Sequence, residues 1–179
     1  TITGPRSVGK TTVSKMLAAQ LDFLYFSSDD LMDRALQPFG GLGAIITSGN
    51  IDEIMRRAIP QVTYVLNHTN LVYDLACGAL TSVTYRQISQ HALRLVQQHS
   101  KIVGLLPCSD EAEAIAFLYQ RERKRVHFKN RETLALRKDV DKNYRRYPPL
   151  FAQLCASIIY VCGKNSDQIV REIRTALHV

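Results

Sequence analysis

Gly4-Pro5-Arg6-Ser7-Val8-Gly9-Lys10-Thr11 is a complete G-x-x-x-x-G-K-[ST] string near the start of the chain. Few octapeptides constrain a fold as tightly. Such a loop needs a strand before it and a helix after it, so that successive backbone N–H groups and a helix N-terminus converge on one anion. Both flanks comply. Thr1-Ile2-Thr3 reads as the end of a strand, and the apolar spacing of Val13, Met16, Leu17 and Leu21 reads as a helix. In this setting Gly9 lets the main chain approach a β-phosphate and Lys10 places its charge between the β- and γ-phosphates. The Thr11 hydroxyl is placed to ligand Mg²⁺. The string predicts that the chain binds a nucleoside triphosphate.

Strand-like and helix-like segments alternate from residue 1 to residue 179, which predicts a single α/β domain with a parallel sheet covered by helices on both faces. Phe23 to Phe26, Leu71 to Leu75, Ile102 to Leu106 and Ile158 to Val161 read as the later strands. A helix of about eight residues is expected after Ser27-Ser28-Asp29-Asp30, capped by one of these polar residues. Pro38-Phe39-Gly40-Gly41-Leu42-Gly43 reads as a flexible turn. Asn50 with Glu53 forms a capping-box pattern for a helix through Leu66, and a helix is expected from Ser82 to Gln98. Ser109 and Ser166 are the expected caps of two further helices.

Hydrophobic residues make up 46% of the chain and charged residues 22%, which describes a globular protein and excludes a disordered one. No apolar run is long enough to span a membrane. Cys77, Cys108, Cys155 and Cys162 have no C-x-x-C spacing, and they read as reduced thiols of a cytoplasmic protein. The formal charge of +7 is concentrated: residues 121 to 146 hold 11 Lys or Arg against 4 Asp or Glu. Such a run is a nucleic-acid surface, a solvated helix face, or a mobile arginine-bearing lid that closes over a polyphosphate. The phosphate loop favours the lid, at roughly residues 121–131. Few aromatic residues interleave the run, which argues against nucleic acid.

Ligand groups in such a sheet belong at the carboxyl ends of the strands. Asp29 lies just beyond the second strand, where a carboxylate can hold a hydroxyl-bearing acceptor and take its proton; Asp30 beside it is the alternative, one of the pair being free to cap the helix. Gly78 follows the third strand and allows close backbone approach. Arg56 and Arg57, and likewise Arg145 and Arg146, offer guanidinium forks for an acceptor carboxylate. Arg123 and Arg125 in the basic run are candidates to stabilise charge on a transferring phosphoryl group, whereas His127 reads as a loop residue.

In this order of elements the chain resembles the shikimate kinases, within the nucleoside-monophosphate-kinase-like group of P-loop folds. The family's loop resembles Gly4 to Thr12, and its D-T-D signature falls on Ser27-Ser28-Asp29. Its acidic-Leu-Ile-acidic pattern falls on Asp30-Leu31-Met32-Asp33, its F-R-R on Met55-Arg56-Arg57 and its G-G-G-A on Ala76-Cys77-Gly78-Ala79. The lid's R-P-L-L looks like Arg125-Val126-His127-Phe128, and the later R-x-P-L-Y falls near Arg146-Tyr147-Pro148-Pro149-Leu150-Phe151.

The resemblance implies five parallel strands in the order 2-3-1-4-5, with ATP and Mg²⁺ as cofactors. It implies γ-phosphoryl transfer to a hydroxyl of shikimate or a similar hydroxy acid by a monomer. Gly4, Pro5, Arg6, Ser7, Val8, Gly9, Lys10, Thr11 and Thr12 would hold the nucleotide, and Thr11 the metal. Lys10, Asp29 and Arg125 would be catalytic, and Asp29, Arg56, Gly78 and Arg146 (or Arg145) would bind the acceptor. Two departures stand out. Ser27 replaces the first aspartate of the pair, which in the family helps to hold Mg²⁺, and Ala76-Cys77 replace two glycines that face the acceptor. A kinase of this fold for gluconate or a nucleotide, and a sensor that binds ligand without turnover, are the alternatives.

Overall fold

The computed structural model describes residues 1–76, 86–125 and 133–179. Five strands form one parallel sheet: β1 (Ile2–Thr3), β2 (Leu24–Ser27), β3 (Leu71–Asp74), β4 (Val103–Leu106) and β5 (Ser157–Tyr160), in the order β2-β3-β1-β4-β5. The expected order is therefore correct. The helices are α1 (Lys10–Leu21), α2 (Ser28–Leu36), α3 (Gly41–Ser48), α4 (Ile51–Leu66), α5 (Arg86–His99), α6 (Glu111–Glu122), α7 (Thr133–Tyr144), α8 (Tyr147–Leu154) and α9 (Ser166–Leu177).

Alternation along β3 explains the layering. Val72 packs with Val13, Leu17 and Val170 in one core, while Tyr73 and Leu75 point the other way and join Val62, Val65 and Val96 of α4 and α5. Gly104 of β4 admits α8: an added Cβ there would lie 2.4 Å from a Phe151 ring carbon. Among the described residues no helix is long and apolar enough to cross a membrane.

Several local expectations need correction. The glycine-rich stretch is a 3₁₀ turn (Gln37–Phe39) followed by helix α3, not an open loop. Gly40 and Gly41 take positive φ, and Asp33 Oδ1 accepts from Leu42 N at 2.8 Å, so a side chain of α2 caps α3 from outside. The Asn50 side chain makes no cap hydrogen bond; Glu53 instead accepts from Arg56 and Arg57. Asp110 rather than Ser109 caps α6, and Asn165 rather than Ser166 caps α9, in a reciprocal box with Gln168. Residues 82–85 of the expected helix lie outside the described residues; α5 covers the remainder. The basic run includes helix α7, with Leu136, Val140 and Tyr144 in the core, and α8 follows it with Phe151 also in the core.

Candidate active site

The loop between β1 and α1 is shaped by close packing and two left-handed residues. An added Cβ on Gly4 would sit 2.5 Å from the Leu105 carbonyl oxygen, so this turn lies directly on β4. Ser7 (φ 67°) and Gly9 (φ 110°) bend the chain into a concave row of N–H groups. The Ser7 hydroxyl is buried without a hydrogen-bond partner among the described residues, which suits an anion in the cradle. Lys10 folds back over the loop, its Nζ 3.0 Å from the Gly4 carbonyl oxygen and 3.3 Å from that of Pro5. Val8 is buried in the core and anchors the loop from beneath.

Thr11 Oγ1 donates to Asp74 Oδ2 at 2.7 Å. Asp74 ends β3, is 5% exposed, and pairs in register with Ser27 of β2. Tyr25 also donates to it, at 3.4 Å, and burial followed by the nearby Asp74 charge pushes the Tyr25 phenol up to about 12. In the sequence Asp74 reads only as part of the third strand, although a carboxylate ending the strand beside the phosphate loop is an available signal. Ser27, which the resemblance sets on an aspartate position, caps α2: its hydroxyl accepts from Asp30 N at 3.1 Å. Neither Asp29 nor Asp30 therefore serves as the cap.

Asp29, in the first turn of α2, opens onto the phosphate cavity. Burial raises its pKa above the ordinary carboxylate value, Asp74 and Asp30 push the same way, and Lys10 and Arg125 oppose them. Above the loop, Arg121 donates to the Val8 carbonyl oxygen at 3.2 Å and stacks 4.9 Å over Phe117. Arg6 reaches across the loop to Glu122 in a two-pronged ion pair of 2.7 and 2.9 Å, with Glu122 only 2% exposed.

Three adjoining cavities result. The central one, about 540 Å³, is lined by Ser7, Gly9, Lys10, Thr11, Thr12, Asp29, Asp74, Arg121 and Arg125, with Asn143 and Tyr147 from the far side. It shares Gly9, Thr12 and Arg121 with a cavity of about 770 Å³ between α1, α6 and the loop before α9. It shares Arg6, Asp29 and Ala76 with a third, of about 390 Å³, against α2, α3 and α4.

The structure thus gathers Arg6, Ser7 and Gly9 to Thr12 of the loop, with Asp29 and Arg125, around one space, while Gly4, Pro5 and Val8 are not in its lining. It does not bring Arg56 there. The inward stripe of α4 is Met55, Ala58, Val62 and Val65, so the next residue after Met55 turns away; Arg56 is 73% exposed and paired with Glu53. Arg57 also holds Glu53 and lies 5.1 Å over the Phe39 ring. Arg146 is exposed, and Arg145 is tied to Glu111 and Asp141; Asn143 and Tyr147 face the cavity instead. Gly78, His127 and residues 126–131 of the expected lid (roughly 121–131) lie outside the described residues.

A shikimate kinase from Bacteroides thetaiotaomicron superposes with a TM-score of 0.76 at 18% identity, covering 99% of this chain and 97% of that one. The fold is that of a P-loop kinase. A shikimate kinase from Acinetobacter baumannii, in complex with shikimate, shares this P-loop kinase fold with a TM-score of 0.75 at 18% identity, over 99% and 91% of the two chains. A gluconokinase from Sinorhizobium meliloti follows with 0.61 at 16%, over 99% and 89%. No protein-family model and no curated protein matches the sequence.

Proposed function

We propose that this chain is an ATP-dependent phosphotransferase that moves the γ-phosphoryl group to a hydroxyl of a small molecule, as the resemblance to shikimate kinases implies. The observation that carries this reading is the row of three contiguous cavities with the phosphate loop in the middle one. A group-transfer enzyme needs donor, transfer and acceptor spaces in line. In this reading the cavity beside Phe117 and Asn165 would hold the base and ribose, Ser7 to Thr12 would hold the phosphates, and the acceptor would enter from the side of Asp29.

The oxygen donors fit Mg²⁺. Thr11 and Asp74 are hard ligands at the phosphate loop, and among the described residues no cluster of three or more His, Cys, Asp or Glu offers a protein-only cage. This is how Mg²⁺ is usually held, by one or two protein oxygens together with substrate phosphates. When bound, the ion neutralises charge on the β- and γ-phosphates. A sensor without turnover is the alternative that Ser27 and Ala76-Cys77 suggest; Asp74, across the ladder from Ser27, offers a carboxylate in place of the first, and Cys77 lies outside the described residues.

In the reaction the acceptor oxygen forms a bond to the γ-phosphorus while the β–γ bridging bond breaks, releasing ADP. Asp29 takes the hydroxyl proton, Lys10 leaves the loop carbonyls for the phosphates, and Arg125 balances charge on the moving group. ADP release with ATP, Mg²⁺ and a panel of shikimate, gluconate, nucleoside monophosphates and uncharged alcohols tests the reading. Acceptor-dependent release supports it; release that ignores every acceptor, or none at all, counts against it.

A further inference from the structure

We infer that Glu122 is a positioning residue, which holds the Arg6 guanidinium against the γ-phosphoryl group of the bound nucleotide. This deepens the phosphotransferase reading and rests on its placement of the nucleotide. Arg6 stands at one of the unspecified positions of the G-x-x-x-x-G-K-[ST] string, so the loop motif alone gives its side chain no task. The Arg6–Glu122 pair is lopsided. The Glu122 side chain, at the end of α6, is 2% exposed, whereas that of Arg6 is 39% exposed. Arg6 lines both the 540 Å³ phosphate cavity and the adjoining 390 Å³ cavity. With Asp29 and Ala76 it marks where the two spaces meet, the place a phosphoryl group passes on its way to an acceptor.

Arg6 Nε donates to Glu122 Oε1 at 2.9 Å and Arg6 Nη2 donates to Oε2 at 2.7 Å. Both carboxylate oxygens therefore grip one edge of the planar guanidinium, and the side chain is oriented before any ligand arrives. Donors set in advance are the ones that stabilise charge as it develops in a transfer step. The carboxylate offsets the charge of Arg6 and leaves it an aimed donor, while Lys10, Arg121 and Arg125 in the same cavity supply net positive charge. Burying a carboxylate is costly, and a buried ion pair is a poor device for stability alone; fixing register is its better-attested use. Glu122 has a register to fix. Its neighbour Arg121 donates to the Val8 carbonyl oxygen at 3.2 Å, and Arg125 N donates to the Glu122 carbonyl oxygen at 2.9 Å. The end of α6 is thus joined to the phosphate loop at Arg6 and at Val8, and the turn that carries Arg125 starts from the same glutamate.

Calorimetry with ADP and with the non-hydrolysable ATP analogue AMP-PNP, each with Mg²⁺, tests this in the whole chain. A merely structural pair would weaken both nucleotides alike, since they share everything up to the β-phosphate; a γ-phosphoryl contact moves the ratio of the two affinities. The parent should prefer AMP-PNP, and that preference should fall about tenfold or more in Arg6→Met, with ADP affinity within about twofold of the parent's. It should fall in the same direction in Glu122→Gln, which keeps the shape and loosens the fork. Glu122→Met, which fills the same buried space without a charge, takes its place if Glu122→Gln does not fold. An unchanged ratio, a loss confined to Arg6→Met, an equal loss for both nucleotides, or a parent without the preference overturns the inference. A lowered ratio in both variants with no acceptor-dependent ADP release from the parent leaves this inference standing and removes the phosphotransferase reading, so the two fail separately.

Discussion

Thr11 and Asp74 are joined by a 2.7 Å hydrogen bond that ties the first turn of α1 to the end of β3. The contact brings an alcohol oxygen and a buried carboxylate together at the floor of the phosphate cavity, where a cation accompanying the phosphates has oxygen ligands ready. Asp74→Asn preserves the shape and the hydrogen bond to Thr11 but removes the charge. The Mg²⁺ concentration for half-maximal rate should rise by about 10–100-fold, read from initial rates across a magnesium titration. An unchanged magnesium requirement would separate Asp74 from the metal.

Lys10 contributes charge to the ligand space rather than packing to the core. Its ammonium rests on the Gly4 and Pro5 carbonyl oxygens, and the proposed function has those contacts exchanged for phosphate oxygens. Lys10→Ala should lower kcat by roughly 10²–10³ while the unfolding midpoint stays close to that of the parent. Steady-state kinetics and a thermal melt on the same sample check both halves.

Asp29 gives the pH dependence. Its pKa is raised, so it protonates at higher pH than an ordinary carboxylate, and only the ionised form accepts a proton. The acid limb of the kcat profile should therefore lie above the usual carboxylate range and disappear in Asp29→Asn, along with most of the rate. Stability moves the opposite way. Between the unfolded and folded pKa values the native state holds more proton than the unfolded one, so stability falls as pH rises through that window. Above it, ionised Asp29 is a net cost, and Asp29→Asn should melt at the same temperature as the parent or higher at neutral pH.

The parts of this site legible in sequence were those whose chemistry is local. The phosphate loop carries its own spacing, and Asp29 follows directly from the end of an aromatic strand. What stayed hidden depends on elements meeting. Asp74 acquires meaning only when β3 pairs with β1 and β2, which puts it beside Thr11 and opposite Ser27. Arg56 matched a family pattern, but the phase of α4 is set by Met55, Ala58, Val62 and Val65, and that stripe turns the guanidinium to solvent. Helix α3 was masked by its glycines, because the Asp33 side chain that caps it comes from another helix.

Strand β4 tolerates no side chain at Gly104. An added Cβ would meet Phe151 at 2.4 Å and Cys155 Sγ at 2.9 Å, with the ring held by the core around it. Gly104→Ala should destabilise the protein by about 1–3 kcal/mol, measured by urea unfolding with the slope unchanged. Because the cost lies in packing, kcat of the folded fraction should remain near that of the parent.

Phosphorus NMR of the protein with ATP, Mg²⁺ and an alcohol acceptor tests the central claim most directly. The account predicts a phosphomonoester resonance that grows in step with the β-phosphate signal of ADP, and that is lost in Lys10→Ala. Unchanged ATP, or conversion to ADP and inorganic phosphate alone across the acceptor panel, would contradict it.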